Sequence, residues 1–369
     1  MGSRNRSPLV SVTDMRNRPE DLDESELRHA LCAWQIDAVS LTYAPVGFGD
    51  HHWTAVDAGG RRWFVTVADL ENKSQCGQGT ESALNGLCRA MDTASALNQA
   101  GLGFVVAPLP TVHGQTVRRL EPHHAVSVFP FVDGGVGRFG QTFDPTERDL
   151  ILDMLARVHR MAPPVSVRLL GPELPARARL DDALTDLGRP WLDGPYAEPA
   201  RALVADHAAG LRRRLAELDQ CATQICQRNR EVVVTHGEPH PGNVLRGREG
   251  YHLVDWDTVG LAVPERDLWL VAEEPDDLAR YTEATGRAPD PGALAFYRLR
   301  WALDDVASFV DQFRSPHDRT ADTELAWTSL TETMELLTSD GPGGPTSTSR
   351  YPEVSSTEGG PGSHHHGGL

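Results

Sequence analysis

The rhythm of hydrophobic and polar positions changes once along this chain. Over residues 39–70, β-branched and aromatic residues alternate with polar ones in runs bounded by glycine: VSLTYAPVG, then HHWTAVDA, a turn at Ala58-Gly59-Gly60, then RRWFVTVADL. That pattern predicts a small antiparallel meander. Over 81–99, Leu84, Leu87, Ala90, Met91, Ala94 and Leu97 recur at three- and four-residue intervals and Gly101 supplies a stop, which predicts a helix. Apolar runs at 104–107 and 125–129 predict two further strands, giving a five-stranded sheet with one helix. After Pro130-Phe131-Val132-Asp133-Gly134 the helical period takes over, with helices expected over 146–161, 181–187, 198–228, 275–284, 293–313 and 321–337. One β-like interruption remains, at 232–254. A small sheet followed by a larger helical part is an α+β, bilobal plan. The chain shows no internal repeat.

Composition narrows the partners. The chain has 369 residues, 40% of them hydrophobic, enough for two or more compact lobes with a real core. Lys and Arg total 35 against 52 Asp and Glu, a net charge of −17 that repels phosphate backbones and anionic lipid. Nucleic acid and membrane are therefore not expected as partners, and the acidic balance suits a cationic substrate. The five cysteines form no CxxC pair, so neither a disulfide framework nor a zinc ribbon is indicated. The N-terminal segment has no apolar stretch of the signal-peptide kind, no long apolar span follows, and Arg6 stands where a myristoylation signal needs Ser or Thr. A cytoplasmic location is the expectation. Residues 1–20 and 339–369 are too polar to offset the entropy of ordering them, so both are expected to be disordered tails, and the HHH near the end is tail composition.

The informative segment is EVVVTHGEPHPGNVLRGREGYHLVDWDTVGLAVPERDLW, residues 231–269. Two prolines keep THGEPHPGN from being helical, and short strands flank the Gly247-Gly250 turn. An acid (Glu238), an Asn five residues on (Asn243) and a strand-end Asp twelve residues beyond that (Asp255) would converge at one end of a hairpin. Such hard oxygen ligands suit magnesium on a nucleotide, which needs only one or two protein groups.

This segment resembles the catalytic core of the aminoglycoside phosphotransferase and choline kinase superfamily, whose signature is H-G-D-x-x-x-x-N, a hydrophobic strand ending I-D-W, and a D-L pair. LVDWD followed by PERDL is similar to the spectinomycin phosphotransferase branch. The resemblance implies a protein-kinase-like fold: an N-lobe over 21–128, a hinge over 129–134, and a helical C-lobe over 135–338 containing a catalytic loop at 235–243 and a metal-binding segment at 254–268. It implies ATP and Mg²⁺ as cofactors and a hydroxylated small molecule, a cationic one in particular, as partner. Glu238 falls at the catalytic base, His236 at the start of the catalytic loop as a hydrogen-bonding residue, Asn243 and Asp255 at the metal ligands, and Asp267 at a loop brace. Gly47 and Gly49, in Gly47-Phe48-Gly49-Asp50, match the turn over the phosphates, Phe129 and Phe131 the hinge that reads adenine, and Asp304 and Asp305 the helix lining the substrate pocket.

Two departures stand out. The family's base is usually Asp, and Glu238 moves the carboxylate by about 1.5 Å, one C–C bond length. Where the third strand carries a phosphate-gripping Lys, this chain has Thr66, and its single lysine is Lys73. Either Lys73 reaches back, or Arg61 or Arg62 substitutes, or nucleotide binding is weak; Glu81 is the lysine's expected helix partner.

Competing readings are weaker on the residues. His236 and His240 flank Glu238, yet the prolines exclude the helix a zinc-hydrolase motif needs. Asp257 is the alternative to Asp255 at the metal, and a solvated helix face is the alternative for Asp304 and Asp305. His51-His52 and Cys221…Cys226 are read as structural. The expected function is O-phosphorylation of an aminoglycoside- or aminocyclitol-type antibiotic or related metabolite. The alternatives are a metabolic kinase for homoserine, choline or a methylthio-sugar, and a pseudokinase-like nucleotide-binding module.

Overall fold

The computed structural model describes residues 18–19, 22–47, 49–120, 122–138, 140–227 and 231–338. The expected tails, Phe48 and the helix end expected at 228 lie outside these, apart from 18–19.

In chain order, α1 (Glu24–Leu31) precedes β1 (Ala38–Ala44), β2 (Asp50–Asp57), β3 (Arg62–Asp69), α2 (Thr80–Gln99), β4 (Arg118–Leu120), β5 (His124–Pro130) and β6 (Gly134–Val136). Then come α3 (Pro145–His159), α4 (Arg177–Thr185), α5 (Ala197–Gln227), β7 (Val233–Thr235), β8 (Val244–Gly247), β9 (Gly250–Leu253), β10 (Gly260–Ala262), α6 (Glu265–Val271), α7 (Pro275–Thr285), α8 (Pro291–Arg314) and α9 (Ala321–Thr338). The fold is α+β, an antiparallel sheet followed by a mainly helical part.

The sheet runs β1-β2-β3-β5-β4. Strand alternation puts Trp53, Ala55, Val65, Val67, Val126 and Val128 on one face, where they pack with Leu27 and Leu31 of α1. Ala68 and Ala125, on the other face, join the core of α2. The alternation fixes which β3 residues look into the space between sheet and helical part: Phe64, Thr66 and Ala68.

Residues 104–107 are not a strand of the sheet, contrary to the expectation from their apolarity. Val105 makes an isolated parallel bridge with Leu253, and the fourth strand is β4 at the sheet's edge. Phe104 and Val105 are apolar because they bury against the helical part, in one core with Leu253 and Trp256. The sequence pattern also did not reveal α1, or α6, which at seven residues is too short to show a helical period. The expected hinge is flanked by hydrogen-bonded structure, since β5 continues to Pro130 and β6 pairs antiparallel with β8. A second core of α4, α5, α8 and α9 residues, including Phe296, Leu303 and Phe313, holds α8 in place, and the Trp301 ring of α8 meets that of His240 in the loop after β7, centroids 6.4 Å apart. Among the described residues no helix is long and apolar enough to cross a membrane.

Candidate active site

The loop after β7 is built by its own backbone demands. β7 pairs with β10 (Thr235↔Gly260), which delivers His236 fully buried. The His236 and Gly237 N–H groups donate to the two oxygens of Asp267, on α6, at 2.8 and 2.6 Å. The third partner of Asp267 is His159 of α3, Nε2 3.0 Å away, whose Nδ1 lies 2.8 Å from the Tyr281 hydroxyl. Burial opposes the charge of Asp267, and the His159 hydrogen bond together with the neighbouring charges of His159, Arg266 and His236 outweighs it, holding the carboxyl below its ordinary range. His236 Nε2 faces the Val254 carbonyl at 2.9 Å while Nδ1 accepts the Glu238 N–H at 3.2 Å, which assigns the ring proton to Nε2. Both nitrogens are thereby used within the loop. Gly237 has φ +105, and a Cβ there would lie 2.3 Å from the Arg266 guanidinium, so only glycine fits.

Asn243 and Asp255 are held in adjacent segments. Asn243 Nδ2 donates to the Glu238 carbonyl at 3.0 Å, and the Val254 N–H donates to the Asn243 carbonyl at 3.0 Å. Asp255 takes φ +61, a left-handed conformation that a non-glycine residue adopts at some cost. Its side chain keeps an exposed face, yet the protein packed around it, and then Asp257, push its carboxyl well above the ordinary range. Burial, and then Asp257, likewise push Glu238 up to about 7.

Lys73 stands against this acidic group. Its ammonium lies 2.6 Å from Asp257 and 2.9 Å from Asp50, with the lysine side chain only 5% exposed. Gln75 Nε2 also donates to Asp257 Oδ2, at 3.2 Å. Burial disfavours the ammonium charge, but Asp257 and Asp50 more than offset it and raise its pKa well above the ordinary value. Asp50 is pushed up to about 6 by burial, and its Oδ1 is buried with no hydrogen-bond partner among the described residues.

Other expected residues fall in different places. Gly47 and Gly49 have φ +73 and +93, as a tight turn before β2 requires. Phe129 lies opposite Phe64 on the cleft face, whereas Phe131, beyond β5, lies under the Arg62 guanidinium. Glu81 is a correction: it is exposed in the first turn of α2 and pairs with Arg119, so the carboxylate partners of Lys73 are Asp50 and Asp257. Arg61 pairs with Asp57 and Arg62 with Asp133, which takes both away from the acidic group. Asp304 and Asp305 sit on α8 and are half-buried. Burial, then Asp304, then Glu238 push Asp305 up to about 8, and Asp304 is also raised by burial. The repulsion from Glu238 makes them one electrostatic group with the loop. Sequence reading gave no role to Asp50, Arg266 or His159; the first two stand inside the quoted motifs, while nothing in the helical pattern around His159 marks it.

The residues fit a nucleotide-bound divalent cation. Glu238, Asp50, Asp255 and Asp257 face a single lysine, and an unpartnered buried carboxylate oxygen is a place for positive charge. Among the described residues no three His, Cys, Asp or Glu groups form a metal cage. Magnesium carried by phosphates needs none, because one or two protein oxygens complete its shell.

A model of the family described as "Phosphotransferase enzyme family" matches residues 45–309. The chain is 32% identical over 254 residues to Protein StrN of Streptomyces griseus, spanning 66% of this chain and 75% of that protein. The structure of spectinomycin phosphotransferase APH(9)-Ia with ADP and spectinomycin is similar at a TM-score of 0.65 and 17% identity, with 86% of this chain and 99% of that one covered. Choline kinase LicA from Streptococcus pneumoniae is similar at a TM-score of 0.51 and 12% identity, with 84% and 98% covered. At these identities the structural likeness speaks for the fold.

Proposed function

The chain belongs to the phosphotransferase enzyme family, and from that premise we propose that it moves the γ-phosphate of ATP, with magnesium, onto a hydroxyl of a small cationic molecule. An aminocyclitol-type antibiotic or a related metabolite is the class we favour. The observation that carries this reading is the position of Glu238, on the Asp267-braced loop and within the electrostatic range of Asp257, Lys73 and Asp304 together. A carboxylate that feels both the Lys73–Asp257 group and the acidic pair of α8 suits an acceptor hydroxyl with an ammonium neighbour.

In this reading Glu238 orients the substrate hydroxyl and takes its proton as that oxygen bonds to the γ-phosphorus and the bond to the ADP oxygen breaks. Asn243 and Asp255 would hold magnesium, which supplies neutralisation of the phosphate charge. Lys73, freed in part from Asp257, adds a second positive charge beside the same phosphates. Asp267 keeps the loop rigid, so little reorganisation is needed. Asp304 and Asp305 meet the ammonium groups.

An ATP-consumption assay over aminocyclitols, choline and homoserine tests the substrate class. Turnover restricted to choline or homoserine overturns the antibiotic reading. Because Asp305 is pushed up to about 8, it must ionise to pair with an ammonium. The substrate KM is therefore expected to fall as pH rises towards 8, and Asp305→Asn to raise KM roughly tenfold or more and flatten that dependence. A KM indifferent to both removes Asp305 from the substrate site.

A further inference from the structure

Thr66 stands where the third strand was expected to carry lysine, and Lys73 enters from the following loop. Opposite Thr66 stands His52, its antiparallel partner across the β2-β3 ladder. Trp53 and Val65, next along each strand, are buried on the α1 side, so His52 and Thr66 share the cleft face. His52 Nδ1 lies 3.1 Å from Thr66 Oγ1, and the ring stacks on Phe64 with centroids 4.9 Å apart at 27°. Two contacts thus fix the imidazole in its plane. His52 Nε2 lies 3.3 Å from where a Cβ on Gly47 would be, which puts the ring directly beneath the glycine turn. Nε2 makes no hydrogen bond among the described residues, whereas Phe64 and Phe129 line the same face one row further along.

We propose that His52, set by Thr66, is a phosphate-binding residue of the nucleotide site: Thr66 donates to Nδ1, and Nε2–H is offered as a neutral donor to a non-bridging oxygen of a nucleoside triphosphate. This rests on the nucleotide-binding reading above. The division of labour follows from the geometry. A strand lysine supplies charge and hydrogen bond together; here Lys73 supplies the charge, and the His52–Thr66 pair supplies the directed hydrogen bond from the strand. Burial, and then Lys73, hold the His52 pKa down to about 3, so the ring stays neutral at physiological pH and does not compete with Lys73 for Asp50 and Asp257. Gly47 is required for the same reason, since any side chain there would press on the ring from the phosphate side.

The test uses the full chain and isothermal titration with Mg-ATP and, separately, adenosine, on wild type, His52→Leu, His52→Gln and Thr66→Val. Loss of one neutral hydrogen bond predicts ATP binding roughly 2- to 13-fold weaker in His52→Leu and Thr66→Val. Adenosine binding should be unchanged, and His52→Gln, which keeps a donor near Nε2, should retain most of the ATP affinity. ATP binding unchanged in both variants overturns the proposal, as does equal weakening for ATP and adenosine, which marks a packing role. Thr66→Val is nearly isosteric, so it reports even if His52→Leu does not fold. Wild type that binds no ATP would instead bring down the nucleotide-binding reading, and this proposal with it.

Discussion

The chemistry turns on the single side chain of Glu238. Its carboxyl, pushed up to about 7 by burial and by Asp257, is protonated below that pH and cannot accept the substrate's proton. Turnover under kcat/KM conditions should therefore rise with pH through about 7 on a limb that Glu238→Gln eliminates along with roughly 10²- to 10⁴-fold of the rate. The same shift bears on folding. A carboxyl whose pKa is raised on folding favours the folded state while protonated, and that contribution is lost as pH climbs from its unfolded value of about 4.3 to about 7. Glu238→Gln should remove this loss, so stability above pH 7 should rise while activity falls. A pH–rate limb near 4 to 5, measured on wild type, would exclude a buried base. Glu238→Asp is the finer comparison, because a loop built around the longer side chain should lose rate when it is shortened.

Among the elements, α6 decides whether the loop holds its shape. Asp267 presents two oxygens to two backbone N–H groups and to His159, all buried. Asp267→Asn replaces one acceptor with a donor and leaves at least one buried N–H facing another. Breaking a buried charged network of this kind costs about 3–5 kcal/mol. Urea unfolding should show a midpoint lowered accordingly with little change in slope, and kcat should fall more than the KM for ATP, because the loop bears on the base. An unchanged midpoint would mean that the loop is held by β7 and β10 alone. Helix α8 contributes differently, running past the loop and carrying Asp304 and Asp305 into the electrostatic range of Glu238.

On the scale of the whole molecule, Lys73 ties the sheet to the helical part. It bonds Asp50 at the start of β2 and Asp257 between β9 and β10, and the loop that carries it is anchored by Arg168, whose guanidinium donates to the Cys76 and Gln75 carbonyls at 2.7 and 3.1 Å. The raised ammonium pKa makes this pair stabilising up to the unfolded lysine value near 10.4, with the contribution lost as pH rises through the higher folded value. The lowered Asp257 pKa makes it stabilising above the unfolded carboxyl value, with loss only as pH falls through the lower folded one. The tie is thus complete at neutral pH. Lys73→Met should lower stability by about 3–5 kcal/mol, since it strands two buried carboxylates. Mg-ATP should raise stability by RT ln(1 + [L]/Kd), about 2.7 kcal/mol at a hundredfold excess over Kd, and Asp255→Ala should remove most of that gain. Differential scanning fluorimetry at millimolar nucleotide and metal reads both, and no shift in wild type would end the kinase reading.

The local features of this protein were legible in its sequence because their causes are local. Prolines, glycine and Asn within residues 235–243 exclude an α-helix there, although Pro241–Asn243 close into one 3-10 turn that the prolines do not forbid, and the three- and four-residue period of 81–99 dictates a helix. The singular Lys73 was visible as the one candidate of its kind. Its partners were not, since Lys73 and Asp257 are 184 residues apart and only packing brings them within 2.6 Å. Glu81, the partner that helix position suggested, points instead to solvent and Arg119. For the same reason the apolar run at 104–107 suggests a strand that does not form: hydrophobicity says that a segment is buried, and only the tertiary structure says against what. Burial also set the shifted carboxyls of Glu238 and Asp305. Residue identity fixes a group's intrinsic acidity, while water exclusion and neighbouring charge, which exist only once the lobes have packed, decide the state in which it works.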